Sequence, residues 1–238
     1  MRVLITAPLK QSKHIFEAYQ DSVDQLILPD GVTLDRYYVV NDCDEIIEDI
    51  RGDYDVVNTG DIYARTHNDH IWTEENLAKM PRLRNMTIRR ALEGGYDFWF
   101  STDTDLVLDP ETLKVLLEAD KDIVSEVFWT MSKVGGWWCN GWMYDQADPD
   151  GRLAEFCTPG LYKVGMTGAL TLVKTDVFRA GVSYDPIPNI RKVLYGEDRW
   201  FCIRAACLGY EMWLDTHFPA THLFTESIYN EWRAARNG

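Results

Sequence analysis

The chain predicts an α/β fold, a mostly parallel sheet with helices on both faces, and three observations point there. Short apolar runs alternate with stretches of helical periodicity, the order that builds parallel sheets. The runs are continuous, as strands buried on both faces require. No linker, repeat or low-complexity stretch interrupts the 238 residues, so a single domain spanning 1–238 is expected, a length that supports a full core.

Val3-Leu4-Ile5 reads as the first strand and stops at Pro8. Ile15, Phe16, Tyr19, Val23 and Leu26 stand at helical spacing within 12–26, and Tyr37–Val40 reads as a second strand. A short helix over 44–50 and a strand over 55–57 follow. Pro81 marks a helix start, with Arg82–Glu93 helical and Gly94-Gly95 as its stop. Phe98-Trp99-Phe100 is a fourth strand. Asp109-Pro110-Glu111 opens a helix with an acid at the N-cap and proline at the first position. Residues 123–128 read as a fifth strand.

Beyond residue 130 the pattern changes. Gly135-Gly136-Trp137-Trp138 and the turn Asp148-Pro149-Asp150-Gly151 suggest a small antiparallel extension. Residues 169–173 form a strand, 197–208 a helix closed by Gly209, and 226–235 a last helix. A ligand-binding half over 1–109 and a more variable half over 110–238 are the expected division.

Charge and cysteine usage narrow the function. Lys and Arg number 24 and Asp and Glu 38, so 24 − 38 gives −14, with a pI near 4.7. That balance opposes nucleic-acid binding, which needs clustered cations, but permits a nucleotide whose charge a metal ion offsets. Five scattered cysteines, without a Cys-x-x-Cys pair, fit neither a zinc ribbon nor a disulfide framework. The first apolar run is too short for a signal peptide, and no apolar stretch is long enough to span a membrane. A reducing cytoplasmic location is expected.

Three clusters carry chemistry. Ser101-Thr102-Asp103-Thr104-Asp105 follows an apolar strand. Along an extended chain, alternation would turn both carboxylates to one side of the sheet's carboxyl edge, where α/β sheets bind ligands. A divalent metal bridging them to a diphosphate explains the pair; a solvated acidic turn is the plainer reading. Glu197-Asp198 opens a helix, whose N-terminal dipole favours an ionised carboxylate able to accept a hydroxyl proton. The plainer reading there is simple helix-start chemistry. His222 is a candidate nitrogen ligand suited to Mn²⁺, or a structural histidine.

In order and spacing these clusters resemble GT-A-fold glycosyltransferases, most of all the inverting family-two enzymes, over roughly residues 3–224. Pro8, Val40-Asn41-Asp42, Leu83-Arg84-Asn85, Gly94-Gly95-Tyr96-Asp97, the Asp-x-Asp, Gly196-Glu197-Asp198 and His222 carry the likeness. The resemblance implies a GT-A (Rossmann-like) fold and a nucleotide-sugar donor, usually a UDP-sugar. It places Thr6, Ala7, Pro8 and Asp42 along the base, Arg84 beside base or phosphates, and Asp103 at ribose and metal. Asp105 and His222 become metal ligands for Mn²⁺ or Mg²⁺. Asp198 becomes the general base, with Glu197 near the acceptor.

Trp129, Trp137, Trp138 and Trp142 fall where such enzymes bind the acceptor, a saccharide, lipid-linked glycan, protein or small metabolite; Gly135, Gly136 and Gly141 would let that loop move. A hydrophobic loop packed on the sheet, or an oligomer contact, is the alternative for these tryptophans. Met166-Thr167-Gly168-Ala169 resembles the small-residue stretch near the donor sugar.

Asn41-Asp42-Cys43-Asp44 departs from the family's usual acid and Ser/Thr run, and Gln-x-x-Arg-Trp is absent, which implies a single transfer rather than polymer synthesis. Rival readings are a retaining transferase on the same fold, a sugar nucleotidyltransferase, disfavoured because residues 8–12 contain no glycine, and a non-catalytic binding protein.

Overall fold

The computed structural model describes residues 1–58, 74–131, 136–143, 153–190, 194 and 196–237. Gly135, the 148–151 turn and Tyr195 lie outside them. The first half runs β1 (Arg2–Leu9), α1 (Lys13–Asp24), β2 (Thr33–Asn41), a 3-10 turn (Asp44–Asp49), β3 (Asp53–Val57), α2 (Glu74–Glu93), β4 (Phe98–Ser101), β5 (Leu106–Val107) and α3 (Thr112–Glu118). The second half adds β6 (Ile123–Met131), β7 (Trp137–Cys139), β8 (Gly141–Trp142), β9 (Leu161–Val164), β10 (Met166–Thr167), β11 (Thr171–Lys174), α4 (Thr175–Arg179), α5 (Glu197–Cys207), β12 (Met212–His222) and α6 (Glu226–Asn237).

Among the described residues the strands build a ten-stranded sheet in the order β3-β2-β1-β4-β11-β6-β12-β5, with β7 on β6 and β9 on β12. β3, β2, β1 and β4 are parallel, as are β6 and β12, while β11 runs against both β4 and β6. β8 and β10 pair separately, antiparallel. β11 comes late in the chain yet sits centrally, so one sheet crosses the expected boundary at Asp109.

Strand alternation sorts the core into two layers. Val3, Ile5, Tyr38, Val40, Phe100, Val124 and Leu172 pack with Phe16 and Tyr19 of α1 and Leu113 and Leu116 of α3. Leu4, Val39, Trp99, Val127 and Val173 pack on the other face with Leu83 of α2, Val177 of α4 and Phe201 of α5. Tyr229 of α6 adds a satellite cluster with Ile15 and Leu223.

Several expected boundaries change. α2 begins at Glu74 and carries Pro81 in its interior, not at its start; a proline there removes one ladder hydrogen bond but does not end this helix. Asp109 Oδ1 accepts the Glu111 amide at 2.9 Å, holding the turn ahead of α3, whose helical residues begin at Thr112. Leu170 adopts φ +64°, so β11 starts at Thr171. β12 is a single strand of eleven residues whose apolar alternation is broken at His217 and Pro219, where it bulges.

Candidate active site

Parallel strands end at a common edge, so β1, β2, β4, β6 and β12 deliver their last residues to one side of the sheet, and antiparallel β11 begins there. Asp42, Asp103, Asp105, Trp137 and His222 all follow from that topology. Three buried polar atoms near this edge have no hydrogen-bond partner among the described residues: Thr6 Oγ1, Asn41 Oδ1 and Arg84 Nε. Unsatisfied buried polar atoms are rare in folded proteins, and three of those among the described residues lie at this edge.

The two aspartates of the Asp-x-Asp do not point to one side. The Leu106 amide donates to the Asp103 carbonyl at 3.2 Å, so the chain turns between them and alternation fails. Asp103 meets Arg84, whose Nη2 donates to its Oδ1 at 2.7 Å. Arg84 Nη1 donates to Ser101 Oγ at 2.6 Å and to the Thr102 carbonyl at 3.3 Å. The Arg84 side chain is 3% exposed and that of Asp103 40%. The guanidinium expected beside a nucleotide is thus a buried cation with an exposed carboxylate over it.

Asp105 is buried and turns to His222, with Oδ1 3.6 Å from Nε2. The opposite ring nitrogen, Nδ1, lies 2.8 Å from Thr130 Oγ1. Phe128 and Phe224 hold the ring, each with its centroid 5.0 Å away. A hydroxyl on Nδ1 fixes the ring and leaves Nε2 facing Asp105, the outer-shell arrangement that metal-binding histidines use.

The donor set fits a divalent cation in part. Adjacent donors around a six-coordinate ion at ~2.1 Å stand roughly 3 Å apart, near the Asp105–His222 spacing. Among the described residues no three His, Cys, Asp or Glu side chains gather closely enough to form a complete site.

Glu197 and Asp198 open α5, capped by Gly196 at φ +136°. Only glycine adopts that conformation readily, and a Cβ there would meet Arg199 Nη1 at 3.2 Å. Burial, then the Glu197 carboxylate, raises the proton affinity of Asp198 well above the carboxylate range; Arg84 pulls it down, Asp103 adds to the rise and Arg199 opposes it. Glu197 is raised too, chiefly by burial. The expectation of a carboxylate held ionised by the helix terminus is thus corrected: burial outweighs the dipole. The same balance makes Arg84 the common counter-charge of Asp103, Glu197 and Asp198.

Gly168 reaches the same point from β11's side. A Cβ there would lie 3.4 Å from Asp198 Oδ2, and its amide donates to the Asn140 carbonyl at 2.8 Å. At Gly141 a Cβ would stand 2.7 Å from Leu214 Cδ2, so close packing is itself a reason for glycine there.

The tryptophans separate. In the β6–β7 pair Thr130 is opposite Trp138, and Met131 opposite Trp137. Residues opposite one another share a face, so Trp138 lies on the face of Thr130 and Phe128, and Trp137 on the face of Trp129. Trp137 is 53% and Trp138 46% exposed. Trp142 is half-buried, with the Arg199 guanidinium 5.6 Å from its ring centroid.

Elsewhere at the edge, Thr6 and Ala7 are buried in the sheet and only Pro8 is partly exposed. Asp42 takes φ +48° just past β2. Sequence reasoning did not single out Thr130, whose place beside His222 rests on register, and gave Ser101 no role of its own. A lone hydroxyl two residues beyond a buried Phe carries no pattern of its own.

No protein-family model matches the sequence, and no curated protein matches it. Solved structures match its fold. TarS 1–349 of S. aureus in complex with UDP-GlcNAc is 14% identical over 96% of this chain and 61% of its own, with TM-score 0.56. Its complex with UDP gives 15% identity over 93% and 60%, with TM-score 0.56. Mannosyltransferase PcManGT from Pyrobaculum calidifontis, in complex with GDP-Man and Mn²⁺, is 14% identical over 99% of this chain and 60% of its own, with TM-score 0.57. This chain spans about 60% of the length of these structures. No helix among the described residues is long and apolar enough to cross a membrane. The likeness is one of fold, and by it the chain has the GT-A-like architecture of glycosyltransferases.

Proposed function

We propose that the protein is a metal-dependent glycosyltransferase that moves a sugar from a nucleotide sugar, a UDP-sugar in the first instance, to an acceptor hydroxyl with inversion. The observation that carries this is one edge holding two acid groups with different tasks. Asp105 and His222 face each other 3.6 Å apart with Thr130 behind, and buried Glu197 and half-buried Asp198 stand beside Arg84. The UDP-sugar and GDP-Man complexes of the structural neighbours support a nucleotide-sugar donor, and the Mn²⁺ of one supports the metal.

Asp105 and His222 are the residues to hold a divalent ion, Mn²⁺ or Mg²⁺, which supplies positive charge to a departing diphosphate. Pro8, the backbone at Thr6 and Ala7, and Asp42 border the nucleotide. Asp103 lies between nucleotide and ion, and Arg84 acts from beneath through Asp103. Asp198 accepts the acceptor's proton; a raised proton affinity suits a base working near neutral pH, and Glu197 positions the acceptor. Trp137 and Trp142 offer ring faces on the Asp198 side of the sheet, and Trp138 offers one on the His222 side.

Asp198→Asn tests the assignment. Turnover should fall ~100-fold or more, while a thermal-shift assay still detects the UDP-sugar. Full turnover with binding retained would remove Asp198 as the base. NMR of the product's anomeric proton distinguishes inversion from retention on the same fold, and no thermal shift with any nucleotide would favour a non-catalytic binding protein.

A further inference from the structure

A second buried acid pair lies below the site. Glu126 of β6 and Asp215 of β12 are register partners on parallel strands, and both are buried. Glu126 Oε1 accepts the amides of Val127 and Phe218, each at 3.3 Å. Asp215 Oδ1 accepts the His217 amide at 2.9 Å, and the His217 ring nitrogen Nδ1 lies 3.0 and 3.1 Å from its two oxygens. Glu126 Oε2 meets no donor. The group it faces is the other carboxylate, and two carboxylates bond only through a proton carried by one of them.

That pair sits where β12 changes register. Asp215 is opposite Glu126 and Ala220 opposite Phe128, so five steps along β12 match two along β6, and 5 − 2 leaves three surplus residues. The surplus holds His217 and Phe218, whose amides the two acids accept. Continuing the new register puts His222 opposite Thr130, where the 2.8 Å contact is found. Continuing the old register would put Pro219 there, and the proline ring carries no polar atom to meet either Thr130 or Asp105.

We propose that Glu126 and Asp215, sharing one proton, are positioning residues that hold the β12 bulge and so set His222 against Thr130 and Asp105. The chemistry fits a proton held through neutral pH: burial, then the Asp215 charge, pushes Glu126 up to about 9. The groups facing it are few. β12 contributes Asp215 and, behind it, His217. On β9 the partner of Asp215 is Leu161, and Lys163 is engaged by Glu211. On α3, Lys114 is engaged by Glu111; Lys121, just past it, covers Trp213. Of these groups the His217 ring alone pairs with either acid, and each lysine is engaged elsewhere.

The role of His222 as a metal ligand rests on the reading above; its placement by the acid pair does not. The test uses the metal-free chain and follows the His222 ring by NMR, through its nitrogen shifts and its cross-peaks to Thr130. Glu126→Gln keeps an acceptor for the two amides and offers Asp215 a permanent donor, so the wild-type signature should persist from pH 6 to 10.5. Wild type should lose the Thr130 cross-peaks as pH rises through about 9, and Glu126→Ala should lack them throughout. Mn²⁺ titration at pH 7 should show Glu126→Ala at least ~10-fold weaker and Glu126→Gln unchanged. A His222 signature that in wild type survives pH 10.5, or that Glu126→Gln abolishes, overturns the proposal whether or not Glu126→Ala folds. Absence of Mn²⁺ binding in every form, with the NMR pattern intact, removes the metal reading and leaves this one standing.

Discussion

Cutting the Arg84–Asp103 pair from its two ends should give unequal losses of stability. Asp103→Ala leaves a guanidinium that is 3% exposed with neutral partners at Ser101 and Thr102. Stranding a buried charge costs about 3–5 kcal/mol, and the nearby Glu197 and Asp198 hold the figure to the lower end, ~3 kcal/mol. Arg84→Met instead frees Asp103, which is 40% exposed and hydrates in place. Its cost is the unpaired Ser101 hydroxyl and Thr102 carbonyl, about 1–2 kcal/mol, with much of the side-chain volume still filled. Asp103→Ala should therefore be the worse substitution by ~1 kcal/mol or more. Urea unfolding at pH 7.5, with midpoints compared at a common slope, measures the difference. If Arg84→Met proved as damaging as Asp103→Ala, Arg84 would not be a buried charge dependent on Asp103, and its placement as a shared counter-charge would fail.

Gly196→Ala forces an alanine into φ +136° beside Arg199; a loss of roughly 1–3 kcal/mol should lower the melting temperature by several degrees, and a scan within one degree of wild type would contradict the strain argument. Thr130→Val removes the hydroxyl on His222 Nδ1 while keeping shape; Mn²⁺ affinity measured by calorimetry with UDP present should fall ~10–100-fold, and an unchanged affinity would show that the ring needs no outer-shell partner.

What the sequence revealed depended on whether the signal was local. Continuous apolar runs marked β1, β2, β4 and β6 because those strands are buried on both faces. The start of α5 was readable from Gly196-Glu197-Asp198, since the glycine and the acids act within one turn. Asp103 and Asp105 were found, but not their divergence, because a turn closed by the Leu106 amide replaces the extended chain that alternation assumes. Pro81 resembled a helix start because proline favours that position; nothing nearby marked the preceding turns as helical. β12 remained hidden because its surplus residues break the period-two pattern. Glu126, Asp215 and Thr130 acquire meaning only from pairing across strands far apart in sequence, and single-chain periodicity carries none of that information.

The two acid pairs show how one physical conflict has two resolutions. Neither pair can carry both charges cheaply when buried. At Glu197–Asp198 a guanidinium lies near, so attraction opposes burial and proton affinity rises under restraint. At Glu126–Asp215 burial and the second carboxylate lead, and the proton stays to about pH 9. The sign of the stability effect follows. A carboxyl raised on folding binds its proton more tightly in the native state, so its stabilisation is complete below the unfolded value near 4.5. That stabilisation drains as pH climbs towards about 9, at a limiting slope of ~1.4 kcal/mol per pH unit for one proton. The pair nearer the sheet's carboxyl edge is thus the one whose carboxyls a guanidinium draws back towards ionisation, and the pair beneath it holds its proton to about pH 9. A proposed base that trades protons and a bulge that must not move are opposite requirements, and the guanidiniums of Arg84 and Arg199 act on the first pair while burial and a second carboxylate lead at the other.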